Sequence, residues 1–398
     1  MEKNRLTTIR PRLHKTVYRC LRQLLAWPLG RSYHYTATPY TPAEQPFLLL
    51  CNHHLAIDAA LVAIGLKTPL YFVVNEPQTP PGYLAKLLIW GLKPILRRAN
   101  QTEADIQGEI LTALQRGDNV ALFIEGECSF TGITGPLPPS VGNLVKLAKV
   151  PLLTYRLDGG YLTQPPWAKN RRHGGMAGRV VNEYTPPLLD ALSPSQINIL
   201  IQADLYSSAN EEQGVPPRPY RGKNLAEHLE TALYLCPECG GINLLKSRGD
   251  FLFCQKCGLR LRFTPYGELV GEDGAAFPYP TVQAWMQWQK AQLQLAAKDW
   301  PNHPKQPLAT DHGQTLYCYD GGKKRSLGIG QTILYGDKLV FLPQTRQKQV
   351  FYYAQIDRIH LRKADLLNFS LLDGRCFELR SDHPRSALKY LEIYEASR

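Results

Sequence analysis

The chain has 398 residues, of which 44% are hydrophobic and 20% charged, with a formal charge of +12. That length accommodates two or three domains, and a mix this apolar and this sparsely charged excludes an intrinsically disordered chain. The positive excess favours an anionic partner (a phospholipid surface, a phosphorylated substrate or nucleic acid), and nine cysteines do not by themselves argue for disulfides.

The cations gather at the start, where residues 1–35 carry eight Lys or Arg against the single acid Glu2. Residues 13–27 read as an amphipathic helix. Leu13, Val17, Leu21, Leu24 and Leu25 fall on one face, Arg12, Lys15, Arg19 and Arg22 lie off it, and Pro28 and Gly30 are expected to end it. An apolar face for acyl chains beside cations for headgroups makes residues 1–40 a segment for an anionic membrane surface; the alternative is a helix packed on the main domain. No stretch reaches the roughly 18 apolar residues that span a bilayer. The run 24–30 is too short for a secretory signal. The expected location is therefore cytoplasmic, peripheral on the cytosolic face of a membrane.

Residues 41–206 alternate short apolar runs with helical patterns. Strands are expected over 47–51, 70–74, 120–124 and 151–157. Helices are expected over 58–65, 82–98, 102–116 (stopped by Gly117) and 141–149. Continuous apolar strands between helices mean an α/β fold, a central mixed sheet flanked by helices on both faces. The basic stretch 167–181 can be a lid or a hairpin extending that sheet. Residues 207–224, rich in Ser, Asn, Glu, Gly and Pro, read as a linker. A helix over 225–235 would lead into a cysteine-rich module at 225–275, and 276–311 form a helical connector. From 312 to 398 short strands recur between turn signals such as Asp320-Gly321-Gly322, Gly336-Asp337 and Asp373-Gly374, and a helix over 384–396 closes the chain. This β-rich domain capped by a helix resembles a pleckstrin-homology-like or GRAM-like domain in pattern, without a diagnostic motif; another small β-barrel is the alternative.

The most informative segment is His53-His54-Leu55-Ala56-Ile57-Asp58. A His and an Asp with four residues between them can form a dyad at a strand-to-helix junction, the carboxylate holding one imidazole nitrogen and leaving the other as a base. Downstream, Glu125-Gly126 follows a strand-like run and can reach the same sheet edge. No nucleophile motif of the G-x-S-x-G type accompanies them, which points to direct transfer, with His53 deprotonating an incoming hydroxyl. Imidazole, with an unperturbed pKa near ~6.5, is mostly neutral at pH 7 and can take that proton.

Asn52-His53 with Asp58, then Ile95-Leu96-Arg97-Arg98, then Phe123-Ile124-Glu125-Gly126, then Val150-Pro151-Leu152-Leu153 occur in one order. Over about residues 40–190 this resembles the glycerolipid O-acyltransferases, the superfamily of lysophosphatidic-acid acyltransferases. The resemblance implies His53 as catalytic base and Asp58 as its orienter. It implies Arg98, with Arg97 a close rival, as the group binding the acceptor phosphate, and Glu125 and Gly126 as part of the acceptor site. The usual third motif reads Glu-Gly-Thr-Arg-Ser, whereas this chain has Glu127 and Cys128 after Gly126. Glu127 would repel a phosphate, so either Arg97, Arg98, Lys146 or Arg156 compensates or the acceptor differs. His54 replaces a common Gln and is expected to be a structural or surface residue rather than a second base.

Cys236-Pro237-Glu238-Cys239-Gly240 and Cys254-Gln255-Lys256-Cys257-Gly258 form two knuckles, with 14 residues between Cys239 and Cys254. Two Cys-x-x-Cys knuckles, each followed by Gly, form a zinc-ribbon signature whose four thiolates fill a tetrahedral shell, so the zinc is structural. A pair of disulfides or an iron–sulfur site is the alternative.

Together these readings predict transfer of a fatty acyl group from acyl-CoA or acyl-carrier protein to a hydroxyl of a lysophospholipid, most simply 1-acylglycerol 3-phosphate. Two other classes compete. One is a non-catalytic lipid-binding or scaffold protein on the same fold. The other is a nucleic-acid binder using Lys246, Arg248, Lys256, Arg260 and Arg262 of the ribbon, which the upstream motifs disfavour. Those same cations would also suit an acidic acyl-carrier protein.

Overall fold

A computed structural model describes residues 11–75, 92–98, 101–125, 129–211, 217–320, 323–345 and 347–398. The chain divides into two compact units, Met1–Thr163 with His173–Arg218, and Gln164–Arg172 with Pro219–Arg398.

In the first unit the described elements run α1 (Pro11–Tyr33), β1 (Tyr35–Ala37), β2 (Leu48–Cys51), α2 (Asp58–Leu66), β3 (Tyr71–Asn75), β4 (Ile95–Arg97) and α3 (Glu103–Gln115). They continue as β5 (Val120–Phe123), α4 (Ser140–Ala148), β6 (Leu152–Asp158), α5 (Gly160–Thr163), β7 (Met176–Tyr184), α6 (Pro186–Ala191) and α7 (Pro194–Leu205). The sheet order is β1-β7-β6-β2-β5-β3-β4. Every neighbouring pair described is parallel except β6 with β7. The apolar runs are central because both faces of the sheet are covered. On β2, Leu49 and Cys51 join a cluster with Leu61, Val62 and Leu66 of α2, while Leu48 and Leu50 join one with Ile110, Val145 and Ile201. Side chains alternate across a strand, so a strand flanked by two layers needs apolar residues at every position.

Three expectations change here. The helix expected over 82–98 lies largely outside the described residues, and its end is not helical: Ile95–Arg97 form β4, paired parallel to β3. Pro94 cannot donate a helical hydrogen bond, and Lys93 before it adopts a left-handed φ of 45°, so the chain is turned into the sheet. Second, α1 runs through Pro28 to Tyr33. One lost main-chain bond is outweighed because Leu29 and Tyr33 pack on the first core cluster. Third, the stretch 167–181 divides: Met176–Tyr184 extend the sheet, whereas Gln164–Arg172 belong to the second unit. Within that unit Trp167 is buried, its ring edge-on to Phe263 and beneath the Arg172 guanidinium.

The second unit begins with turns and a single short 3-10 helix, Leu229–Thr231, where a helix over 225–235 was expected. A four-stranded antiparallel sheet follows, formed by β8 (Leu245–Arg248), β9 (Phe251–Cys254), β10 (Arg260–Phe263) and β11 (Leu269–Gly271), in the order β11-β10-β9-β8. After α8 (Val282–Ala297) come β12 (Ala309–Asp320), β13 (Lys323–Leu334), β14 (Lys338–Pro343), β15 (Gln349–Tyr352), β16 (Ile356–Lys363), β17 (Leu366–Leu371) and β18 (Cys376–Ser381), closed by α9 (Leu388–Ala396). These seven strands form an antiparallel half-barrel, β15-β14-β13-β12-β18-β17-β16, ending in a helix. Leu388, Tyr390, Ile393 and Tyr394 of α9 are buried. Asp311 on β12 is buried too, and it receives Lys389, Tyr390 and Arg385 together with Asn243 of the cysteine module. A buried carboxylate needs such partners, because an unpaired charge in the interior is strongly disfavoured.

Candidate active site

The parallel strands β2 and β5 pair Cys51 with Phe123, so His53 and Glu125 each emerge two residues beyond that pair, at the carboxyl edge of the sheet. Ligands of open α/β sheets bind at this edge. At the neighbouring strand ends Asn75 of β3 pairs with Arg97 of β4.

The His53 loop is held at several points. Asn52 is buried, and its side-chain amide donates to the Leu157 carbonyl while its oxygen accepts from Leu157 N–H, each at 2.8 Å. The His53 main-chain N–H donates to Glu125 Oε1 at 3.0 Å, and the His53 carbonyl accepts from Ser129 N–H at 3.0 Å. The imidazole stacks on Phe123 with ring centroids 4.4 Å apart, and its Nδ1 lies 3.1 Å from Asp58 Oδ2.

Asp58 is the first residue of α2 and has no exposed surface. The same Oδ2 also accepts from the main-chain N–H groups of His54 at 2.6 Å and Leu55 at 2.8 Å. Three donors converging on one oxygen at a helix N-terminus suit a buried negative charge. A carboxylate at Nδ1 favours the tautomer that carries its proton there.

Glu125 serves the main chain. Oε1 takes His53 N–H, and Oε2 takes Gly135 N–H at 3.2 Å. Burial pushes its carboxyl above the usual range, against the opposing pull of those amides and the nearby imidazoles. Gly126, with Glu127 and Cys128, lies outside the described residues.

A cleft of about 220 Å³ opens at this edge, lined by His53, Ala56, Ala59, Val73, Val74, Asn75, Arg97, Leu122 and Phe123. The structure thus brings His53 and Arg97 to one cavity. Arg98 is not among its lining residues; its main-chain N–H donates to Gln101 Oε1 at 2.8 Å. Asn75, which sequence reasoning passed over, is signalled only as the polar residue ending the apolar run Tyr71–Val74.

Residues 33–158 match the family model described as Acyltransferase. The matched segment makes up about a third of the chain. No curated protein matches the chain. Among solved structures, one similar to it is the crystal structure of the 1-acyl-sn-glycerophosphate (LPA) acyltransferase PlsC from Thermotoga maritima. Identity is 16% and the TM-score 0.41, over 50% of this chain and 81% of that one. Another is a chain of the 8S snRNP assembly intermediate, at 16% identity and TM-score 0.20, over 24% of this chain and 83% of that one. A third is the C-terminal domain of an unknown protein from Leishmania infantum, at 13% identity and TM-score 0.19, over 26% and 94%.

Ahead of the matched segment, α1 buries His14 and Tyr18, His14 stacking on Tyr71 at 4.0 Å. It leaves Leu24 and Trp27 72% and 75% exposed. No helix among the described residues is long and apolar enough to cross a membrane.

In the second unit Cys236, Cys239, Cys254 and Cys257 gather with all four sulfurs within 4.8 Å of one another. Cys236 Sγ lies 3.7 Å from Cys257 Sγ, and Cys239 Sγ 3.7 Å from Cys254 Sγ. A tetrahedral zinc with bonds near ~2.3 Å requires sulfur separations of about 3.8 Å. A disulfide would need about 2.05 Å. Gly240 and Gly258 adopt φ of 65° and 78° after the knuckles, a conformation that glycine takes without strain. The four thiols fit a zinc ion that would cross-link the two knuckles.

Proposed function

We propose that the acyltransferase domain moves a fatty acyl group from a thioester donor, acyl-CoA or acyl-carrier protein, to a hydroxyl of a lysophospholipid acceptor, most simply 1-acylglycerol 3-phosphate. One observation carries this reading. The His53 ring, its Nδ1 3.1 Å from the buried Asp58 carboxylate, lines the same cleft as Arg97.

His53 Nε2 takes the acceptor hydroxyl proton as the oxygen attacks the thioester carbonyl carbon. The carbon–sulfur bond then breaks, and the leaving thiolate recovers the proton from the imidazolium. Asp58 holds the tautomer and stabilises the transient imidazolium, a form of general-base catalysis worth on the order of 10²–10⁴ in rate. Arg97 supplies charge-assisted hydrogen bonds to the acceptor phosphate, a task for which its place in the cleft favours it over Arg98. Glu125 orders the acceptor site indirectly, by fixing the His53 and Gly135 backbones.

The exposed Leu24, Leu25 and Trp27, on a helix that also carries exposed Lys15, Arg19 and Arg31, support peripheral attachment to an anionic membrane, where such acceptors reside. Zinc held by Cys236, Cys239, Cys254 and Cys257 leaves no position for water, so its role is structural. The deciding experiment is acyl transfer by the purified chain from radiolabelled acyl-CoA and acyl-carrier protein to a panel of lysophospholipids, with His53→Ala as control. Product from the wild type alone supports the reading; equal product from both proteins ends it.

A further inference from the structure

His54, beside the base, is wedged rather than exposed. Its imidazole is buried, with Nε2 3.3 Å from Ser207 Oγ. Its other side lies against Gly160, where an added Cβ would sit 2.7 Å from His54 Cβ and 2.8 Å from Nδ1. That Nδ1 is buried without a hydrogen-bond partner among the described residues. A buried N–H without an acceptor is rarer and costlier than an unused lone pair. The proton therefore sits on Nε2 and is donated to Ser207.

Ser207 lies beyond the 33–158 segment that matches the family, just after α7. It is itself fixed. Thr134 N–H donates to the Ser207 carbonyl at 2.9 Å, Ser207 N–H donates to Thr134 Oγ1 at 3.0 Å, and Ala209 N–H donates to the Gly132 carbonyl at 2.8 Å. The neighbouring Gly135 is the residue that Glu125 holds. The main-chain N–H of His54 in turn reaches Asp58 Oδ2, the oxygen that orients His53 Nδ1.

We infer that His54 is a positioning residue: the wedge formed by Ser207 and Gly160 sets the His54 main chain, and through it the Asp58 oxygen on which the His53 imidazole depends. The inference rests on the acyltransferase reading for its catalytic consequence but not for its structural one. It makes the segment around Ser207 part of the catalytic apparatus, although it lies outside the matched domain. It also gives the second histidine of the His53-His54 pair a task distinct from proton transfer.

The test compares Ser207→Ala, His54→Leu, His54→Gln and Gly160→Ala in the full chain. Two readouts are taken: steady-state acyl transfer, and the titration of the His53 imidazole followed by nitrogen-15 NMR, with His53→Ala assigning the resonance. Ser207→Ala, His54→Leu and Gly160→Ala should each lower kcat about tenfold or more with KM nearly unchanged, since small displacements of a base are costly. Each should also shift the His53 titration midpoint. His54→Gln retains an N–H donor for Ser207 and should restore both. A structural role alone would lower thermal stability and leave kcat per folded molecule and the midpoint where they were. Unaltered kcat and midpoint in Ser207→Ala and His54→Leu overturn the inference. If the wild type transfers no acyl group to any acceptor, the proposed function fails, and the titration still decides the positioning.

Discussion

Asn52 grips Leu157 as a neighbouring strand would: its side-chain oxygen and amide pair with the Leu157 N–H and carbonyl, both at 2.8 Å and both out of water. The clamp continues the β2–β6 pairing one residue past Cys51 and hands the chain to His53 in a fixed direction. Asn52→Ala leaves two buried main-chain groups unpaired, at about 1–3 kcal/mol each. We expect stability to fall by about 2–4 kcal/mol in urea unfolding and kcat to fall with it. A loss below about 0.5 kcal/mol would show that Leu157 finds other partners.

In the proposed mechanism, Asp58→Asn removes the charge that stabilises the imidazolium while retaining an oxygen for the amides of His54 and Leu55. Because Oδ1 is buried without a partner among the described residues, the new amide group would be stranded there. His53→Ala should lower kcat by on the order of 10²–10⁴, and Asp58→Asn by a similar or smaller factor, with KM for the thioester little changed. Full steady-state kinetics on both donors measure this; a large KM effect with unchanged kcat would assign the pair to binding.

The order of strands and helices was readable because burial on both faces leaves unbroken apolar runs, as in Leu48–Cys51 and Val120–Phe123. The four-cysteine spacing and the seven C-terminal strands with their closing helix were legible for the same kind of local reason. Residues 95–97 were misread because apolar content alone does not separate a helix from a buried strand, and Pro94 with the left-handed Lys93 settles it. The end of α1 was misplaced because Leu29 and Tyr33 find partners in the core, which no local rule at Pro28 reveals. In the candidate site, His53, Asp58 and Glu125 announce themselves by spacing. Asn75 and Ser207 do not, because their relevance comes from strand register and from contacts more than a hundred residues apart along the chain in the Ser207 case.

The metal cluster predicts one zinc per chain by elemental analysis. Binding of a structural zinc is folding free energy, because the site does not pre-exist in the unfolded chain. Stripping it with a strong chelator, or replacing Cys257 by Ser, should expose 236–258 to protease and lower the urea midpoint. The fall should be reversed in the wild type alone when zinc is restored. Metal-free protein of unchanged stability would reduce the four cysteines to unlinked thiols.

Trp27 and Leu24 are the most exposed large apolar side chains of α1. Each cation near an anionic surface adds about 1 kcal/mol. Sedimentation with vesicles of mixed zwitterionic and anionic phospholipid should carry the chain down, less so as salt rises. Trp27→Ser with Leu24→Ser should release most of it without altering thermal stability. Binding that ignores both salt and these substitutions would place the membrane contact elsewhere.

Glu392 of α9 is expected to make the stability of the second unit depend on pH. It is buried, and the Tyr234 hydroxyl donates to it. Burial raises its carboxyl to about 7, with Tyr234 and Lys290 pulling the other way. In the unfolded chain the group loses its proton near 4.5. The folded state therefore binds more protons between those values, so the contribution of Glu392 to stability is present at low pH and is lost as pH rises from 4.5 to about 7. Above that window the loss is constant, on the order of 3 kcal/mol at most. Glu392→Gln keeps an acceptor oxygen for Tyr234 and has no charge to bury. Urea unfolding at intervals from pH 4 to 8 should give the variant little advantage at pH 4 and a clear one at pH 8. Parallel stability profiles for the two proteins across that range would mean that Glu392 ionises in the folded chain as freely as in the unfolded one.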